Sequence, residues 1–182
     1  IRDEAREKEL KQELSSVQGL QERLEKLSKL DENRKETWEE FLGLRKVYSE
    51  LSDKFVSLNT MLINGRAGSL AAELKEGKPC PVCGSLTHPH PAEFSEEMPD
   101  ATEVDKAKTA ADEACEKMNT ASNASTSAQT KYDKELEEIA AEAHDFFEEE
   151  VSFEDLPSLL KTKEEAIILE IEKISNQILE EL

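Results

Sequence analysis

Glycine and proline are scarce in this sequence, six of each among 182 residues, and aromatics make up only 5% of it, with a single tryptophan at Trp38. That shortage argues against a compact globular core. Positive charge is also short: 23 Lys and Arg face 42 Asp and Glu, a net charge of −19. No predicted helix carries a basic stripe, which excludes a strong unaided grip on DNA or on an anionic membrane. Long apolar runs are absent, so there is neither a transmembrane segment nor a signal peptide. Cysteines number three, two of them three positions apart, and an odd set so spaced is no disulfide framework. In a reducing compartment the same spacing points to metal binding or redox chemistry. The chain has no G-x-x-x-x-G-K-[ST] phosphate loop, no nucleophile–base pair and no pocket-forming core, so it is not expected to be an enzyme by itself. It opens at Ile1 rather than Met and stops mid-pattern at Leu182, as a segment of a longer protein would.

What the sequence has in abundance is Ala, Glu, Lys and Leu, with 36% charged residues, the composition of long helices and coiled coils. Such charge would also suit a disordered chain, but the apolar residues are periodic. The first arm, residues 1–76, carries Leu44, Tyr48, Leu51, Phe55, Leu58 and Leu62 at steps of 4, 3, 4, 3 and 4, a coiled-coil seam. Upstream, Leu10, Leu14, Val17, Leu20, Leu24, Leu27 and Leu30 keep helical spacing with slips from strict heptads, which change the local winding. Lys75, Gly77 and Pro79 form a helix stop. Trp38, Phe41 and Phe55 read as core residues.

The second arm, residues 100–182, opens with Asp100 and Glu103 in the positions of a capping box. Val104, Ala107, Ala111, Ala114, Met118, Ala121, Ser125, Ala128 and Tyr132 then alternate steps of 3 and 4, a seam of mostly small residues that would let two helix axes approach closely. The seam shifts phase through Leu136, Ile139, Ala143 and Phe146. A break is expected near 147–155, where Glu148–Glu150 read as a solvated kink and Ser152 and Pro157 mark a new helix start. Leu160, Ile167, Ile171, Ile174, Ile178 and Leu182 form the last seam. Helices this long are not stable alone in water, so the fold class is all-α: a long antiparallel intramolecular coiled coil with a short loop at its apex.

That loop, residues 77–99, contains Cys80-Pro81-Val82-Cys83-Gly84 and, beyond it, His88 and His90. A C-x-x-C pair can turn both sulfurs onto one metal, with proline stiffening the turn and glycine permitting positive φ. Bound zinc would deprotonate both thiols at neutral pH. A structural zinc wants four ligands, and the chain offers two clear ones. Cys80 and Cys83 from each of two chains would complete a four-thiolate site, one zinc per dimer. The alternative is a monomeric intrachain knuckle of Cys80, Cys83 and His88, serving as a protein- or nucleic-acid-binding tip. Its fourth knuckle position falls on Glu93, and His90 is poorly placed to substitute. In the dimeric reading His88 is a donor to a thiolate behind the ligands. A thioredoxin-type redox pair lacks its βαβ context. Cys115 reads as a small packing residue and His144 as a surface residue.

Ala71-x-x-Leu74-x-x-Gly77-x-Pro79-Cys80-Pro81-Val82-Cys83-Gly84-Ser85-x-x-His88-Pro89-x-Pro91 resembles the zinc hook of the bacterial SbcC family, the SMC-like subunits of SbcCD nucleases. The resemblance implies that Cys80 and Cys83 are the hook ligands and that a second copy of the chain is the partner. It implies a longer cytoplasmic, nucleoid-associated protein with a split ATP-binding-cassette head using ATP and Mg2+. It further implies an SbcD-like nuclease subunit, manganese-dependent, that acts as exonuclease and hairpin endonuclease on DNA in double-strand-break repair and recombination. This segment would then be a mechanical link between two coiled coils.

Overall fold

The structure, a computed structural model, describes residues 2–95, 97–147 and 151–180. Among these residues it is all-α, with α1 over Arg2–Ala72, α2 over Ala101–Phe147 and α3 over Leu156–Glu180. The expected kink at Glu148–Glu150 and the seam position at Leu182 lie outside the described residues. Two compact units form, one of residues 1–37 with 124–182, the other of residues 38–123.

The first unit packs three helical stretches. Its core holds Leu10, Val17, Leu20 and Leu27 of α1, Ile139 and Ala143 of α2, and Leu156, Leu160, Ile167 and Ile174 of α3. Polar contacts fix the directions. Arg34 reaches Gln129 and lies over the Tyr132 ring, while Arg23 reaches Glu135, Glu138 and Glu142, so α2 runs antiparallel to α1. Gln21 and Gln18 then donate to Glu164 and Arg6 to Glu170, so α3 continues the same antiparallel course. Ahead of α3, the Ser152 carbonyl accepts from the N–H groups of Asp155 and Leu156 at 3.1 and 3.0 Å. Three helical stretches around one seam bury it fully: Val17, Leu20, Ile139 and Leu160 are all inaccessible to solvent.

The second unit has only two helical stretches, and its seam is correspondingly wetter. Leu44, Tyr48, Leu51, Phe55 and Leu58 are half-buried, while the small residues opposite, Ala107, Ala111, Ala114 and Ala121, are buried. A two-helix pair covers each seam from one side, and the short alanine side chains are the ones that vanish beneath it. Trp38, expected in the core, is instead 51% exposed. It sits one position off the 4-3 rhythm that continues from Phe41, and it lies against the Phe41 ring at 5.5 Å on the outside of the helix.

Candidate metal centre

α1 ends at Ala72, and two short turns follow in which Glu73 and Leu74 donate to the carbonyls of Leu70 and Ala71. Gly77, at φ +74°, then turns the chain out of the helical path. The returning segment is held against the last turns of α1 by two glycines. A Cβ on Gly68 would lie 2.8 Å from the Glu93 carbonyl carbon and 2.9 Å from Phe94 Cα, and one on Gly65 would lie 2.6 Å from Met98 Cγ. Both glycines are buried, as is Pro99. At the start of α2, Asp100 caps the helix: its Oδ1 accepts from the Glu103 N–H at 2.7 Å.

Between these anchors Cys80 and Cys83 form a tight knuckle. The Cys80 N–H donates to the Ser85 carbonyl and the Gly84 N–H to the Cys80 carbonyl, each at 2.9 Å. The second bond requires Gly84 at φ +74°, a conformation that a side chain would strain. The knuckle turns backbone N–H groups toward the first sulfur. Those of Cys83, then of Val82, hold the Cys80 thiol below its usual range, with smaller help from the Cys83 thiol and the Gly84 N–H and against a modest opposition from burial. Hydrogen bonds that favour the thiolate prepare a metal ligand.

A second turn brings the chain back. The Ser85 hydroxyl donates to the Thr87 carbonyl at 2.8 Å and accepts from the Thr87 N–H at 3.2 Å. His88 follows, and its Nε2 lies 3.3 Å from Cys83 Sγ. The ligand atoms of Cys80, Cys83 and His88 all lie within 4.8 Å of one another. Two thiols and an imidazole at this spacing fit a zinc-type ion, one donor short of a closed tetrahedron. Of the other residues singled out, His90 lines the same groove of about 260 Å³ but stands outside the three-donor group. Cys115 sits on α2, where Asn119 Nδ2 donates to its sulfur at 3.7 Å, and His144 is exposed. Gly65 and Gly68 are not among the residues that spacing and motif single out. Two glycines three positions apart inside an otherwise unbroken helical pattern are nonetheless a signal, since a residue without a Cβ lets another backbone come close.

Forty-three residues, 24% of this chain, align at 44% identity with the SbcC component of the nuclease SbcCD of Vibrio cholerae serotype O1, of which they make up 4%. The chain is therefore related in part to an SbcC protein and matches only a small share of that protein's length. No family model matches the chain, and no solved structure does. No helix among the described residues is long and apolar enough to cross a membrane.

Proposed function

We propose that this chain is the zinc-mediated homodimerisation element of an SbcC-like DNA-repair ATPase, with Cys80 and Cys83 from each of two copies sharing one zinc. The observation that carries the reading is the knuckle between α1 and α2, where two thiols and the His88 imidazole gather and, among the described residues, leave a tetrahedral site one donor short. The partial likeness to an SbcC protein supports the family. Zinc here would supply a structural cross-link, contributing up to roughly 10–16 kcal/mol of binding, part of which would appear as dimer affinity.

A second copy also has surface to cover. Leu42, Val56, Ile63 and Leu70 recur on α1 at multiples of seven residues and are 41–57% exposed, an outward stripe distinct from the seam facing α2. Leu70 also lines the groove beside Cys80, Cys83 and His88. In this reading the longer bacterial protein carries the ATP- and DNA-dependent chemistry with its nuclease partner in the cytoplasm, and this segment acts mechanically.

The test is molar mass by light scattering with half an equivalent of zinc per chain, metal content being measured on the same peak. A dimer holding one zinc is expected. A mixture of metal-free monomer and monomer holding one zinc would replace the shared site with the intrachain knuckle of Cys80, Cys83 and His88.

A further inference from the structure

We infer that His88 is a third, intrachain metal ligand: it retains a divalent ion on an unpaired Cys80/Cys83 tip and gives way when a second tip supplies its own two thiolates. The inference rests on the shared-zinc reading above and assigns His88 a role within it.

Three observations converge on this residue. His88 Nε2 stands 3.3 Å from Cys83 Sγ. A tetrahedral zinc with ordinary bond lengths holds a sulfur and a nitrogen ligand about 3.5 Å apart, so the imidazole already occupies ligand range. The third donor, Cys80 Sγ, completes a group spanning no more than 4.8 Å. The loop is also built to deliver the ring there. Ser85 closes a turn on both the N–H and the carbonyl of Thr87, and the next residue is His88. His88 and Cys80 are half-buried, whereas His90, two positions on, is exposed.

Ligand counting gives the consequence. Two thiolates alone hold a zinc-type ion too weakly to keep it on a free tip, and three donors keep it while leaving a coordination position open. When a loaded tip meets a metal-free one, the incoming Cys80 and Cys83 thiols lose their protons to solvent and displace the His88 imidazole, and four thiolates close the tetrahedron around the one ion. Metal therefore loads before pairing, and the ratio of metal to chain selects the state. At half an equivalent the four-thiolate dimer forms. Approaching one equivalent, each tip holds its own ion through Cys80, Cys83 and His88, and the dimer comes apart.

The experiment is a Co2+ titration of the 182-residue chain at fixed dilute concentration, reading visible ligand-field absorption and molar mass together, then repeated with Zn2+ for mass alone. The expected dimer fraction rises to a maximum near half an equivalent and falls toward one equivalent, with an absorption change as nitrogen replaces sulfur. His88→Ala should keep the maximum and lose the fall. Its unpaired tip should bind metal more weakly by more than the roughly 10–100-fold that loss of a merely orienting partner costs. His90→Ala should behave as the parent chain does. Identical titrations for the parent and His88→Ala would overturn the inference, as would a weaker-binding variant with unchanged absorption. A parent chain that never dimerises, but loses its nitrogen signature on His88→Ala, would overturn the exchange and the shared-zinc reading together and leave His88 as a ligand of a monomeric knuckle.

Discussion

Glu135 shows what a single charged side chain does inside this fold. Its side chain is 8% exposed, yet it meets Lys26 Nζ at 2.6 Å and Arg23 Nε at 2.8 Å, while Arg23 also bonds Glu138 and Glu142. The hydrogen bond from Lys26 first, then that from Arg23, hold its carboxyl below the ordinary glutamate value of 4.5, burial opposing them. A depressed pKa means stability that is fully present above the unfolded value and disappears as pH falls through the folded one. Glu135→Gln should therefore cost about 1.5–3 kcal/mol at pH 7. The gap between the two proteins should narrow once pH drops below about 4.5, the unfolded reference. Urea denaturation at stepped pH reads that gap, and a difference constant down to pH 2 would mean that the ion pair does not contribute. No part of this triad is legible in the sequence. Glutamates crowd both arms, and only the pairing of α1 with α2 decides which one loses its water.

Along the elements, what is legible is what is local. The 4-3 steps of α1 and the small-residue steps of α2 each depend on a helix repeat that needs no partner to be read. Burial follows them in part: Leu10, Val17, Leu20, Leu27 and Leu62 of α1 are buried and Leu44 to Leu58 half-buried, while most seam positions of α2 from Val104 to Ile139 are buried. Trp38 departs from its expected place because apolar character alone does not make a seam position. The approach of the return segment to α1 is hidden for a different reason: it joins Gly68 to Glu93 through backbone, which leaves no hydrophobic pattern. Gly68→Ala should disturb it. The new methyl meets backbone of Glu93 and Phe94 rather than a pliant side chain, and overpacking of that kind costs about 1–3 kcal/mol. Gly43 is the control, with nothing within 4 Å of its added Cβ. There the same change should stabilise the helix by about 0.5–1 kcal/mol. Thermal melts followed by circular dichroism compare the two, and equal shifts of the same sign would refute the close approach.

For the whole molecule, the proposed association depends on metal rather than on the arms alone. Changing both Cys80 and Cys83 to Ser should abolish the zinc-dependent dimer and leave helical content nearly unchanged, because neither sulfur belongs to α1 or α2. Light scattering and circular dichroism on one sample check both halves of that statement. A double variant that stays dimeric in the presence of a chelator would move the interface to the outward stripe of Leu42, Val56, Ile63 and Leu70.

Local spacing was enough to define the helices and their seams, since each rests on a repeat of a few residues, while α1 ends at Ala72, ahead of the stop expected at Lys75, Gly77 and Pro79. Which donors gather was settled in three dimensions. Folding closed the Ser85 turn, brought the His88 ring to Cys83, and laid the segment around Glu93 over Gly68. Backbone direction in a loop is set by turns and by what the loop packs against, and no periodicity along the chain records it.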